Sequence, residues 1–182
     1  FVDRARTQLC NMGYCVRETR TADGWDAESE ITNHRWADAV FVQFPLHWMG
    51  VPWGLKQYMD EVYTRGMDGR LCSGDGRSRG VEDSQYGTGG TLTDTAYMLS
   101  LTLNAPASAF DDPDHFFGGR SIDDLLIPYH MNFRFFGMRA LPTFVAYDVA
   151  KQPNIEGDFA RFEQHLAAAF ETSATRALNI AA

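Results

Sequence analysis

Apolar residues along the chain recur alternately at helical spacing and in short continuous runs. Runs rich in β-branched and aromatic residues predict strands, because a strand that is buried on both faces needs no polar alternation. Four strands are expected, over Tyr14–Arg17, Ala39–Phe44, Tyr97–Leu103 and Leu141–Tyr147. Helical patterns flank each of them, so the order of elements is α-β-α-β-α-β-α-β-α. This alternation indicates a parallel sheet with helices on both faces.

Local signals mark the ends and breaks of the helices. Asp26 is a candidate N-cap for the second helix, and Pro52 suits the first turn of the third. The helical face that begins at Ile122 contains Pro128, which should kink it. The tail after Thr172 is expected to fray. Residues 66–96 are rich in glycine and charge, which favours a surface excursion within a single domain over residues 1–182.

The chain opens inside a helical pattern that has no capping residue before it. A doubly wound sheet normally begins with a strand, which is central in the strand order 2-1-3-4-5. The sequence therefore predicts an α/β domain that lacks its first, central strand. An N-terminal truncation of the recorded sequence would explain this, and a natural chain adapted to do without the strand is the alternative.

Composition excludes several classes of function. The net charge of −8, without a Lys/Arg block, argues against a nucleic-acid partner. No apolar run approaches the ~20 residues of a membrane helix. Cys10, Cys15 and Cys72 form neither a CxxC motif nor an even set, so reduced cytoplasmic thiols are expected and no metal site.

The strongest chemical signal is the segment FVQFPLHWMGVP at residues 41–52. A buried strand ends there in a loop that leads into a helix, and open α/β sheets bind ligands at this edge. Leu46, Trp48 and Met49 offer apolar surface to a planar ring. A strand–proline–helix junction with core aromatics is the alternative, and composition alone favours it.

Four blocks in order resemble the NAD(P)H:quinone oxidoreductase (DT-diaphorase) family and, within it, the bacterial modulator of drug activity B family. They are PLHWMGVPWGLKQYMDEVY from Pro45, YGTGG with YMLSLTLNAP over 86–106, FFGG with FFGM over 116–138, and LPTFVAYD from Leu141. The likeness spans residues 1 to about 170. It implies a flavodoxin-like fold, and FAD and NAD(P)H as cofactors.

The resemblance also implies where FAD binds. Its ring edge would contact the first loop and its pyrimidine end the turn after the third strand: Pro45, Leu46, His47, Trp48, Met49, Thr102, Leu103, Asn104 and Ala105. Relatives hold the FAD pyrophosphate with the loop after strand one. The 182-residue chain alone is therefore expected to bind FAD poorly or not at all, and the full-length protein is expected to bind it.

The implied reaction is a two-electron ping-pong cycle from NAD(P)H to a quinone, in a homodimer. The expected substrate walls are Trp48, Met49, Tyr86, Phe110 and Phe116. Phe110 stands where the mammalian enzyme has a catalytic tyrosine, and the spacing places no histidine at its catalytic position. No side chain is therefore assigned to catalysis, and Asn104 and Phe110 are the nearest candidates.

Two other functions remain open: an ancillary subunit of a potassium-efflux transporter and a flavodoxin-type electron carrier that uses FMN. The sequence does not distinguish NADPH from NADH. His34 and His130 are expected at the surface or in the core without binding metal. Asp111, Asp112 and Asp114 lack the glycine and the closing glutamate of a calcium loop.

Overall fold

The computed structural model describes residues 1–79, 84–171 and 179–181. The helices are α1 Val2–Asn11, α2 Ala27–Trp36, α3 Trp53–Arg65, α4 Ile122–Leu125, α5 Ile127–Phe135 and α6 Ile155–Glu171. The strands are β1 Cys15–Arg17, β2 Ala39–Pro45, β3 Ala96–Thr102, β4 Arg139–Ala140, β5 Phe144–Ala146 and β6 Asn179–Ala181. Short 3₁₀ turns lie at Thr21–Asp23 and Ala107–Ala109.

All strand pairs of the sheet are parallel, which confirms the predicted α/β class. The strands follow the order β1-β6-β2-β3, and β3 then pairs with β4 near its start and with β5 near its end. β2 and β3 form the centre and pair along seven residues each. Their carboxyl ends therefore reach the same edge of the sheet.

The tail differs from its prediction. Residues 172–178 and 182 lie outside the described part, but Asn179–Ala181 form β6 between β1 and β2 and do not fray. Ile180 is fully buried there, opposite Val16 on one side and Ala39 on the other. The gain from burying this side chain, about 1.5–3 kcal/mol, favours the docked strand. β6 thus partly fills the central strand position that was expected to be missing.

Two apolar layers cover the sheet, because successive residues of a strand point to opposite faces. Ala39 and Phe41 of β2 face the layer of α1 and α6, where Phe162 and Leu166 are fully buried. Val40 and Phe44 face the opposite layer, which is built from α2, α3 and α5.

The predicted helix boundaries agree with the structure. Asp26 caps α2 by accepting a hydrogen bond from the Ser29 amide at 2.9 Å. The predicted kink at Pro128 is a break between α4 and α5, and Pro128 occupies the first turn of α5, where its missing N–H costs nothing. Within the predicted 66–96 segment, the described residues that precede β3, 66–79 and 84–95, contain no helix or strand, although Leu71, Cys72 and Leu92 reach the core.

A chain of hydrogen bonds fastens α4 and α5 to β3. Tyr97 Oη lies 2.8 Å from His130 Nδ1, and His130 Nε2 lies 3.1 Å from Asp123 Oδ1. Thr143 donates to the same carboxylate oxygen at 2.6 Å. The hydrogen bond from His130 holds the pKa of Asp123 below its usual range, and the hydrogen bond from Thr143 makes a smaller contribution in the same direction. Burial raises the pKa of Tyr97 to about 12.

Replacing Asp123 with asparagine should weaken the fold at neutral pH and flatten its acid dependence. A lowered folded-state pKa stabilises the fold above the ordinary carboxyl pKa, and this stabilisation is lost as the pH falls through the lowered value. The carboxylate is 58% exposed, so solvent screening limits the effect to about 0.5 kcal/mol. Urea unfolding between pH 3 and 7 measures it. Asp60→Asn, which removes an exposed ion pair to Lys56, is the control. A difference from wild type that stays constant with pH would contradict this account.

The described helices include none that is long and apolar enough to cross a bilayer.

Candidate active site

Two turns lie side by side at the carboxyl edge of the sheet. Because β2 and β3 are in register to their last residues, Pro45 stands opposite Thr102. The amide of Leu46 then donates to the carbonyl of Thr102 at 2.8 Å, one step beyond the paired strands. The turns that follow these two strands are therefore fixed to each other where they begin.

The first turn holds two side chains in strained backbone. His47 and Gly50 exchange amide-to-carbonyl bonds of 2.8 and 2.9 Å, and the two residues between them have left-handed φ values, 46° for Trp48 and 62° for Met49. Tight turns of this kind prefer the sequence Asn-Gly. A residue with a larger side chain in left-handed backbone costs about 1–2 kcal/mol. The turn leaves Trp48 97% exposed. Strain of this kind concentrates at functional sites, so the turn is a candidate ligand contact.

A tyrosine from α5 fixes the far side of this turn. The Val51 amide donates to Tyr129 Oη at 2.9 Å. A Cβ on Gly50 would lie 2.8 Å from the same oxygen, so only glycine permits this approach. Sequence reasoning assigned Tyr129 only to a helical face. The contact joins residues 78 positions apart, and no local pattern marks it.

The second turn is held from the other side by the segment after β5. Leu103 donates to the carbonyl of Ala146 at 3.0 Å, and Asp148 donates its amide to the carbonyl of Ala105 at 3.1 Å. Asp148 has a φ of 53°, and its Oδ1 is buried with no hydrogen-bond partner in the described part of the chain. An acceptor left in this state beside a turn is available to an N–H or O–H group of a ligand.

Four amide groups of the two turns are available as donors. Within the described ranges, the N–H groups of Trp48, Met49, Asn104 and Ala105 have no acceptor. Backbone donors at the end of a parallel sheet suit a ligand whose edge carries carbonyl oxygens and ring nitrogens.

The predicted substrate walls fall into two groups. Trp48, Tyr86 and Phe116 are between 70% and 97% exposed and Met49 is 44% exposed, whereas Phe110 is 4% exposed. Phe110 stacks on Phe117 with ring centroids 4.2 Å apart, and Phe116 lies edge-on to Phe117 at 4.9 Å. Phe110 is therefore an inner support of this aromatic group, and Phe116 is its outer surface.

Tyr86 belongs to a different neighbourhood. It packs on Phe135 with a centroid distance of 5.6 Å, and the guanidinium carbon of Arg77 lies 5.4 Å from its ring centroid. Phe135 is six residues beyond Tyr129 on α5, about 9 Å along the helix axis. The role in substrate binding of the five predicted wall residues, Trp48, Met49, Tyr86, Phe110 and Phe116, stays a prediction.

Tyr147 is a site candidate that sequence reasoning left within the last strand. It follows β5 directly, and its ring lies 5.8 Å from that of Phe110. Burial, with a smaller contribution from the Asp111 carboxylate, raises the pKa of Tyr147, so its phenol stays protonated at neutral pH. Its place one residue after a strand, at the edge where ligands bind, is the signal that could have identified it.

The other candidates from the sequence are three aspartates and two histidines. Within residues 1–79, 84–171 and 179–181, no cluster of three potential metal ligands is present, and the three aspartates at 111–114 are not such a cluster. His130 belongs to the hydrogen-bond chain described above. His34 is buried, and its Nδ1 lies 2.9 Å from the carbonyl of Glu30 on the same helix.

Comparisons with known proteins identify the family. A family model described as flavodoxin-like fold matches residues 2–169. The NADPH:quinone oxidoreductase MdaB of Haemophilus influenzae is 42% identical over 167 residues, which are 92% of this chain and 86% of that enzyme. An uncharacterised protein of Schizosaccharomyces pombe is also 42% identical, over 89% of this chain and 82% of its own length.

The chain belongs to the flavodoxin-like family. The flavodoxin-like fold and the resemblance inferred from the four sequence blocks are thereby confirmed. A crystal structure from Klebsiella pneumoniae, described as a candidate quinone reductase, superposes with a TM-score of 0.76. It is 23% identical and covers 97% of this chain and 79% of its own, so it supports the fold.

The residues of the two turns fit the ring system of a flavin. The free amides of Trp48, Met49, Asn104 and Ala105 are donors, the type of group that the carbonyl oxygens and ring nitrogens of an isoalloxazine require. The unpartnered Asp148 Oδ1 matches an imide N–H, which is the donor of the same ring. Donors and acceptor thus have the chemistry that this ring requires.

Proposed function

We propose that this protein is an FAD-dependent NAD(P)H:quinone oxidoreductase. The observation that carries the proposal is the strained Trp48–Met49 turn, which presents an exposed indole beside four unpaired amide donors. Strained backbone at non-glycine residues clusters at active sites and ligand clamps. The printed name of the 42% identical Haemophilus relative supports the same activity.

The protein's contribution is to position and polarise a bound ring. A flavin, when bound, takes up a hydride from NAD(P)H and delivers it to a quinone. The amides of Asn104 and Ala105 would donate to the edge of a bound ring on which negative charge develops, and the hydrogen bonds of Leu103 and Ala105 with the segment after β5 keep the turn in place. Trp48 and Met49 provide apolar surface that excludes water and orients a planar substrate.

Tyr147 adds a proton donor near this edge. Its phenol remains protonated because burial disfavours the phenolate. It lies against Phe110, the position where the resemblance places a tyrosine in the mammalian enzyme. We infer that Tyr147 supplies the hydroxyl that Phe110 lacks.

Tyr147→Phe should then lower kcat and leave KM for NADPH unchanged.

Stopped-flow spectroscopy of the full-length protein tests the proposed reaction. The FAD-loaded protein is mixed with NADPH and then with menadione, and the flavin absorbance is followed in both steps. Rapid bleaching followed by complete return in one two-electron step is expected. Return through a stable one-electron form would instead indicate an electron carrier. Slow return together with capture of a potassium-efflux transporter would indicate an ancillary subunit.

Replacing Trp48 with alanine should lower kcat/KM for menadione about tenfold, because an aromatic contact of this kind contributes about 0.5–1.5 kcal/mol beyond its area. Steady-state kinetics at fixed NADPH measures the change. Trp53→Ala is a matched control, since Trp53 is 81% exposed at the start of α3 and lies outside the turn. Equal losses in the two variants would exclude a specific role for Trp48.

The cofactor and the assembly are further parts of the proposal. A neighbour with a TM-score of 0.52, general stress protein 14 of Treponema denticola, was crystallised with FMN. Titration of the full-length protein with FAD and with FMN therefore distinguishes the two flavins, and tighter binding of FAD is expected. The exposed aromatic side chains of Trp48, Tyr86 and Phe116 support a homodimer, which light scattering would detect. We place the enzyme in the cytoplasm, in keeping with its free cysteines.

A further inference from the structure

Residues 111–120 form a compact loop beside the candidate site. The amide of Asp111 donates to the carbonyl of Arg120 at 3.1 Å, so the two ends of the loop lie side by side. In the described part of the chain, no hydrogen bond or ion pair joins residues 112–119 to a residue outside the loop. The loop is therefore held to the rest of the protein by its base and by side-chain packing.

The interior of the loop is closely bonded. The carbonyl of Asp112 accepts from the amides of His115 at 3.2 Å and Gly119 at 2.9 Å. Its Oδ1 accepts from the amide of Asp114 at 2.9 Å. Gly118 donates to the carbonyl of His115 at 2.8 Å. A surface loop whose ends meet and whose turns bond to one another keeps its shape and can move as one body.

Left-handed backbone lies at both ends of the loop. Asp111 has a φ of 59°, and Gly118 and Gly119 have φ values of 58° and 78°. A Cβ on Gly118 would meet no atom within 4 Å, so open space surrounds this end. Hinges are usually a few residues at the ends of a loop that absorb a change in φ and ψ. The loop therefore has a candidate hinge on each side.

A ring stack anchors the loop to the body of the protein. Phe117 stacks on Phe110 with centroids 4.2 Å apart and an angle of 13° between the ring planes. Within the described ranges, this is the one aromatic contact between residues 111–120 and the rest of the chain. Phe110 is buried, and its ring centroid lies 5.8 Å from that of Tyr147. The anchor thus places the loop at the edge of the sheet where the candidate site lies.

The tip of the loop exposes an aromatic ring that has no face contact. Phe116 is 78% exposed, and its described ring contact is edge-on to Phe117 at 4.9 Å. Packing such a ring on a flat ligand removes apolar surface from water. A pair of aromatic rings gains a factor of about 3 to 10 in a binding constant beyond the gain from its area.

We propose that residues 111–120 are a flap that closes Phe116 over a planar electron acceptor and thereby selects acceptors without a long side chain. The inference rests on the proposed function, since the acceptor is the quinone of that reaction. Closure moves the loop as one body about its two hinges, while the Phe117 stack keeps the tip beside the site. A substituent that projects from the acceptor toward the flap prevents closure and loses the contact with Phe116.

Binding of menadione to the oxidised, FAD-loaded full-length protein tests closure without turnover. Stopped-flow absorbance of the flavin should show two phases: binding, whose rate rises with menadione concentration, and closure, whose rate reaches a plateau. Phe116→Ala should abolish the second phase and raise the Kd for menadione about threefold to tenfold. A single phase in the wild type, with a rate that rises linearly with menadione, would make Phe116 a fixed wall and overturn the flap.

Asp114→Ala is the matched control in the same loop. The amide of Asp114 makes the internal bond to Asp112, and this bond survives the substitution. Its side chain makes no hydrogen bond or ion pair in the described part of the chain. The variant should therefore keep both phases and the wild-type Kd. Loss of the second phase in Asp114→Ala as well would assign that phase to the loop's general stability and overturn the role of Phe116.

Selection by size is measured with a matched pair of acceptors, menadione and the same naphthoquinone with one isoprenoid tail. Wild type should prefer menadione about threefold to tenfold in kcat/KM, and Phe116→Ala should reduce this preference to within about twofold. Phe117→Leu removes the anchoring stack but keeps an apolar side chain, and should reduce the preference in the same direction. Turnover with an equal preference in wild type and Phe116→Ala would refute the flap and leave the proposed function standing. Absence of turnover with either quinone in the wild type would refute both.

Discussion

Replacing Phe162 with alanine should lower the free energy of unfolding by about 3–5 kcal/mol, the usual cost of truncating a fully buried phenylalanine. Phe162 is 0% exposed on α6, and its ring lies 4.9 Å from that of Phe144 and 6.1 Å from that of Phe41. It therefore joins the helix to two strands of the sheet. Urea unfolding followed by circular dichroism measures the loss.

Phe159→Ala on the same helix is the matched control. Phe159 is partly exposed and contacts Phe1 and the guanidinium of Arg4. Its truncation leaves no enclosed cavity, so the loss should be about 1 kcal/mol. Similar losses for the two variants would mean that the layer of α1 and α6 is not closely packed around Phe162.

Replacing Gly50 with alanine should weaken flavin binding to the full-length protein about tenfold or more. The new Cβ would lie 2.8 Å from Tyr129 Oη, so the tyrosine must move and release the Val51 amide. Loss of a hydrogen bond of this kind costs about 0.5–1.5 kcal/mol, and displacement of the strained turn adds to it. Flavin fluorescence titration measures the change in affinity.

A double-mutant cycle separates this contact from a general effect on the loop. Tyr129→Phe removes the oxygen that the new Cβ would meet. The double variant Gly50→Ala/Tyr129→Phe should therefore bind flavin better than additive losses predict. Strict additivity would show that the close approach between Gly50 and Tyr129 does not position the turn.

The sequence predicted where the candidate site lies but not the geometry of its two turns. The run AVFVQF and the loop that follows it indicated a ligand edge, because open parallel sheets bind at this end of their strands. The sequence did not reveal the left-handed backbone of Trp48 and Met49 or the unpartnered oxygen of Asp148. The bonds that fix the two turns from outside, from Val51 to Tyr129 and from Asp148 to Ala105, join segments that are distant along the chain.

Local patterns by themselves determined the class of the fold, most helix boundaries and the break at Pro128, since each depends on residues within one or two turns of one another. Only the tertiary structure decided that Asn179–Ala181 enters the centre of the sheet, that Tyr129 fastens the Trp48 turn and that Phe110 lies beneath Phe117. These outcomes follow from long-range packing. A three-residue segment such as Asn179–Ala181 carries no periodic signal, and its position depends on which neighbouring strands are free to pair with it.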